Sequence, residues 1–285
     1  MNEHLERVLK GSTNLDLWLA ISEYRIADAL SILSPESSTV NRPWWKILAK
    51  PTTPTNLDPV REVAFTFLAN PSDTTSLIPE MTLKTADKVF PEWMRFCCSV
   101  HYSRHFSEQL EILLKQTLLK LEELAEEVRE KSNGYPNNSI SGYVWFNGAI
   151  VRNWSDALSY LFEMRQKPQE KATVLQYKCK VTCSIMSHYH QLVGPDMIDA
   201  AAALIAINDT ETAKKYYQAV IADFEPLARL WQGQPEEPIT ADDLISLKAL
   251  LDAYDGFTRL ETNYYYSDRR QKLEQLIQNS ENLSM

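Results

Sequence analysis

Apolar positions in this chain recur every three or four residues and almost nowhere in simple alternation. The order Leu110, Leu114, Thr117, Leu121, Leu124, Val128 advances by 4, 3, 4, 3 and 4 residues, the seam of a long helix packed along its length. Between Pro91 and Gly134 no proline or glycine intervenes. One helix over that stretch would run about 60 Å at ~1.5 Å per residue, so a kink or break is expected near Ser103 to Ser107. The run Asn133-Gly134-Tyr135-Pro136-Asn137-Asn138 stops it. The same spacing returns in Tyr143, Phe146, Ile150, Trp154, Ala157, Leu161 and Met164, up to Pro168, and predicts a second long, antiparallel helix with that set on one face.

Punctuation divides the rest. After a polar start over Met1 to Lys10, the side chains of Ser12, Thr13 and Asn14 offer caps to a helix carrying Leu15, Trp18, Leu19, Ile26, Leu30 and Leu33, expected to run until just before Pro35. Residues 35–79 hold seven of the fourteen prolines and read as an irregular linker around short helices. One of these starts at Pro59 behind Asp58 and carries Val60, Val63, Ala64, Phe67 and Leu68. Further helices are predicted over 169–193, stopped by Gly194-Pro195, then 196–207, 209–231, 240–261 and 263–279. Asp209 caps one of them, and Thr240 with Asp243 approximates a capping box.

The predicted fold is therefore all-α, a multi-helix bundle with long antiparallel helices and a C-terminal helical-hairpin, degenerate repeat-like part. Its parts are residues 1–134, with the proline-rich insertion 35–79, and an acidic 135–285, read as one continuous fold. The pair of helices from Asp196 to Phe224 resembles a tetratricopeptide unit in its second helix, where Tyr216, Ala219, Val220 and Phe224 fall near that repeat's spacing. The first helix lacks the Trp, Leu and Gly positions, and no second copy follows at the ~34-residue period. The resemblance implies stacked helical hairpins.

Composition sharpens this picture at two points. Seven glycines in 285 residues, about 2.5% against an average near 7%, leave too few for glycine-lined phosphate loops or for many tight strand turns. The net charge of −9 is also unevenly spread. Between Pro195 and Glu261 thirteen acidic residues face five basic ones, a net of −8. That argues against nucleic-acid binding there, because phosphate contacts need lysine and arginine. Four cysteines are too few for a disulfide scaffold, the N-terminus has no signal-peptide pattern, and no window is apolar enough to span a membrane. A cytoplasmic location in a reducing compartment is expected.

Candidate chemistry is sparse. Cys97, Cys98, His101 and His105 share a helical stretch, as do Cys179, Cys183, His188 and His190, yet a helical Cys-x₃-Cys suits two small buried residues better than a zinc knuckle. Asp242-Asp243, and Asp252 with Asp255 and Glu261, could hold magnesium only opposite a second acidic motif; Asp242 and Asp243 fit the first turn of a helix. No nucleophile elbow, HExxH, P-loop or dinucleotide fingerprint occurs. No cofactor or metal is expected. What remains is a surface for another protein: Asp242, Asp243, Asp252, Tyr254, Asp255 and Glu261, the aromatic pair Trp44-Trp45, and Tyr264 and Tyr265 beside Arg269 and Arg270. The expected function is a non-enzymatic interaction protein with a basic partner, in its most specific form an immunity-type inhibitor of a toxin or effector domain. The alternative is an all-α enzyme with a buried metal or isoprenoid-type cavity.

Overall fold

The computed structural model describes residues 3–34, 58–72, 74, 77–133, 142–185, 190–233, 239–261 and 264–283, and among these it holds twelve helices and no strand. The fold is all-α. The chain divides into two compact units, Met1–Leu124 and Ala125–Met285.

The first unit contains α1 (Glu3–Leu9), α2 (Leu15–Ser22), α3 (Ile26–Leu33), α4 (Pro59–Ala69), α5 (Ala86–Ser103) and the first part of α6 (Ser107–Asn133). Two expectations are corrected here. The polar start forms α1, because Leu5, Val8 and Leu9 at i, i+3 and i+4 give it a buried face, which packs on α5. The helix expected through Leu33 is broken into α2 and α3. Tyr24 adopts a left-handed φ of 57°, Arg25 N–H donates to Ala20 O at 2.7 Å and Tyr24 N–H to Ile21 O at 3.0 Å, the paired bonds of a Schellman ending. A residue other than glycine bears about 1–2 kcal/mol of strain in that conformation. The Tyr24 ring offsets it by stacking on His105, centroids 3.6 Å apart, and packing on Phe106. Gln166 and Asn208 end helices in the same way, so a glycine-poor chain makes its stops with other residues.

The break foreseen between Ser103 and Ser107 is present, with Arg104 at φ 62°. The seam Leu110, Leu114, Thr117, Leu121, Leu124 and Val128 is buried throughout. Asp58 caps α4 by accepting from Val60 N–H at 3.0 Å, with Pro59 in the first turn. Around Trp18, Phe67, Trp93 and Phe96 the core is aromatic. At its edge Glu92, 8% exposed, accepts from Trp18 Nε1 (2.8 Å), Ser12 Oγ (3.0 Å), Asn14 Nδ2 (3.2 Å) and Arg95. Four donors satisfy a carboxylate whose burial alone would be costly, and they tie α5 to a segment more than 70 residues earlier.

The second unit contains the end of α6, then α7 (Gly142–Met164), α8 (Pro168–Ile185), α9 (His190–Ala206), α10 (Thr210–Gln232), α11 (Ala241–Leu260) and α12 (Tyr264–Leu283). From α7 onward each helix packs on the next, α9 also meets α11, and α10 also meets α12. Gly194-Pro195 does not stop a helix: both lie inside α9. A Cβ at Gly194 would stand 2.4 Å from the Phe224 ring and 2.9 Å from Ala249 Cβ, so this glycine serves the close approach of three helices. The face of α7 is also corrected. Of the expected stripe Leu161 is buried, Ile150, Trp154, Ala157 and Met164 are half-buried, and Tyr143 and Phe146 are exposed; Val144, Asn147, Gly148, Val151, Ser155, Leu158 and Phe162 are buried as well. Asn147 and Ser155 satisfy their donors on the carbonyls of Tyr143 and Val151, four residues back along the same helix.

Candidate functional site

The C-terminal half of α7, the start of α8 and the C-terminal half of α9 enclose a groove of about 590 Å³ within the second unit. Helical spacing brings Asp156, Tyr160 and Glu163 to it from α7, Lys171 and Leu175 from α8, and Asp199, Ala202, Ala203 and Ala206 from α9. Buried Leu175 and Ala203 and the exposed Ala202 and Ala206 give the lining an apolar part beside its charged groups. Lys171 pairs with Glu163 at 3.1 Å. Asp156 pairs with Lys178 at 2.6 Å. Among the described residues no hydrogen bond or ion pair engages Asp199. Burial first, and the nearby Asp196 and Asp156 next, raise its pKa above the ordinary aspartate value against the pull of Lys178 and Lys171.

Behind this wall lies a buried ionic centre. Asp196, 2% exposed, accepts from Arg152 through both oxygens (2.8 and 2.9 Å), from Thr182 Oγ1 at 2.6 Å and from Lys178 at 2.9 Å. Burial acts against the charge of Lys178, but Asp196 and Asp156 together leave its pKa raised. The two-pronged guanidinium bond fixes α7 against α9, with α8 supplying Thr182 and Lys178 between them. This centre holds the groove's three walls at a set spacing.

The chain matches no protein-family model, no curated protein and no solved structure. The site must therefore be judged on its own geometry.

Placement of the residues singled out from sequence differs case by case. Thr240 caps α11, accepting from Asp243 N–H at 3.1 Å and donating to Asp243 Oδ2 at 2.8 Å, and Asp242 sits beside it in the first turn. Asp252 faces solvent with Ile245 and Lys248 on one stripe of α11; partial burial, then Asp255, raises its pKa. Tyr254 is not a surface residue. It is 2% exposed, donates to Glu225 Oε1 at 2.8 Å and packs on Tyr266, because its position on α11 turns toward α10 and α12. Asp255 is taken up by Arg270, and Glu261 by Lys214 at 2.9 Å. Trp44 and Trp45 lie outside the described residues; Tyr264 and Tyr265 open α12, their side chains likewise outside what is described. The acidic segment thus spends part of its charge on internal pairs, and its candidates do not converge.

The cysteines separate into two kinds. Cys97 and Cys98 are fully buried on α5; burial pushes Cys98 up to about 12 and Cys97 well above the usual thiol value, which makes them inert. On α8 the Sγ atoms of Cys179 and Cys183 are 4.0 Å apart. The hydrogen bond between them, in which either sulfur can donate, comes first in raising the pKa of Cys179 and in lowering that of Cys183. No group of three or more His, Cys, Asp or Glu able to hold a metal ion occurs among the described residues. Nor is any described helix long and apolar enough to cross a membrane.

The groove itself was not legible from spacing. Ala202, Ala203 and Ala206 read as helix formers, and carboxylates at 156, 163 and 199 lie on separate helices whose adjacency the spacing does not predict.

Proposed function

We propose that this chain is a non-enzymatic protein-binding protein, a cytoplasmic inhibitor of immunity type that covers a basic segment of a toxin or effector domain, and that the groove of α7, α8 and α9 receives that segment. The observation that carries the reading is Asp199, a carboxylate lining the groove that makes no hydrogen bond or ion pair among the described residues. A lysine or arginine side chain can lay its alkyl stem along Ala202, Ala203 and Leu175 and place its charge between Asp199 and Asp156. The surrounding negative charge of the 195–261 region speeds the approach of such a partner, an effect that salt weakens over a screening length of ~8 Å.

Lysine- and arginine-rich peptides, titrated against the full chain by fluorescence anisotropy at rising salt, test this. Binding is expected to weaken with salt, to fall about tenfold in Asp199→Asn, and to be unchanged in Asp252→Asn. Equal binding to the Asp199 variant, or the larger loss in the Asp252 variant, moves the docking surface away from the groove. Failure of every basic peptide to bind overturns the reading of the partner.

A further inference from the structure

Cys179 and Cys183 stand one turn apart near the end of α8, with their sulfurs 4.0 Å from each other. Cys179 is buried and Cys183 is partly open to solvent, so the pair is reached from outside through Cys183. Two outcomes are chemically open to neighbouring thiols, a disulfide or a shared ion, and helix geometry decides between them. The Cβ atoms of residues four apart on a helix lie ~5–6 Å from each other, whereas a disulfide draws them to ~3.5–4.5 Å. Oxidation would have to unwind the last turns of α8. An ion meets no such obstacle. With metal–thiolate bonds of ~2.3 Å, sulfurs at the observed separation subtend an S–metal–S angle of roughly 120°. Reaching a linear arrangement takes a further separation of only about 0.6 Å, within the reach of side-chain rotation.

Among the described residues, which do not include His188 or the side chain of His190, the donor set is the two thiols. Structural zinc takes four ligands, and among the described residues these thiols belong to no group of three or more His, Cys, Asp or Glu placed to hold a metal. Thiolates are soft donors that favour copper(I), and copper(I) is satisfied by two of them. Cys97 and Cys98 offer no equivalent, because successive residues on a helix point about 100° apart. We propose that Cys179 and Cys183 form a two-thiolate binding site for a soft monovalent cation, with copper(I) as its biological form. Binding makes two S–Cu bonds, releases the thiol protons to water and leaves copper and sulfur in their oxidation states.

The test is an anaerobic titration of the metal-free full chain with copper(I) against the chelator bicinchoninate, following thiolate-to-copper charge-transfer absorbance in the ultraviolet. One equivalent should bind, be retained in the double variant Cys97→Ser/Cys98→Ser, and weaken at least tenfold, about 1.4 kcal/mol, in Cys183→Ser. Unchanged binding in Cys183→Ser overturns the proposal, as does its loss in the Cys97/Cys98 variant or displacement of the copper by equimolar zinc. A second measurement needs no variant. In the unaltered protein one equivalent of copper(I) should protect Cys183 from maleimide, mapped by mass spectrometry; a Cys183 that is alkylated at full copper occupancy removes the site.

Discussion

Gly194 and Gly256 are used for contact. A Cβ at Gly194 would stand 2.4 Å from the ring of Phe224, and one at Gly256 would stand 2.3 Å from the ring of Tyr217. Both distances fall short of any real carbon contact, so a methyl group forces the helices or rings apart. Helix propensity alone favours Gly→Ala by about 1 kcal/mol, while overpacking costs ~1–3 kcal/mol. Gly194→Ala should therefore lose up to about 2 kcal/mol by chemical denaturation; a stabilised variant would show that the close approach is not tight. This residue explains one failure of the sequence reading. Gly-Pro reads as a stop because both residues disfavour helix interiors, yet the lost propensity is offset by packing that is invisible until α10 and α11 are in place. At Tyr24 the reverse held: a stop existed where no glycine announced it.

Among the elements, α6 and α7 carry the same 3-and-4 spacing and differ in outcome. On α6 the large residues and the buried face coincide, and the seam was legible from Leu110 to Val128. On α7 the larger apolar residues Tyr143 and Phe146 face out, while the buried face carries Gly148, Asn147 and Ser155. Small residues permit a near approach: a Cβ at Gly148 would lie 2.8 Å from Ile185 Cγ2 of α8. Periodicity alone weighs side chains by size, and so puts Tyr143 and Phe146 on the same buried face as Leu161. Leu158→Ala should cost about 2–5 kcal/mol, whereas Phe146→Ser, 52% exposed, should stay within about 0.5 kcal/mol. Thermal melts of the two variants check this, and the opposite ranking would restore the face expected from sequence. The caps of α4, α10 and α11 were legible because they rest on residues within one turn. Tyr254 was not, because its burial depends on α10 and α12 together.

For the whole molecule, ion pairing leaves the net charge at −9 but fixes where some of it sits: Glu225 and Asp255 of the acidic segment are held by Arg269 and Arg270 of α12, and Glu261 by Lys214. Glu225 shows the consequence for pH. Burial alone would raise its pKa, but hydrogen bonds from Arg269 and Tyr254, then the charges of Arg269 and Arg229, leave it lowered. A depressed carboxylate stabilises the fold fully above its unfolded value of ~4.3 and loses that contribution as pH falls through the folded value. Melting temperature should accordingly drop below about pH 4.5, with a shallower drop in Glu225→Gln, which should also be less stable at neutral pH by about 1–3 kcal/mol. Identical slopes in the two proteins would remove Glu225 from the account.

The ties that Glu92 makes to Ser12 and Trp18 set an order of assembly. They join residues 80 and 74 positions apart, and the docking of α1 and α2 on α5 bridges the same interval. In the second unit every main contact from α7 onward runs to the next helix or the one after. Closing a long loop before any contact rewards it slows folding, and local contacts speed it. Pulsed hydrogen exchange during refolding should find amides of α8 to α11 protected before those of α2. Early protection of α2 would mean that the first unit has a faster route, one in which α2 docks without waiting for Glu92.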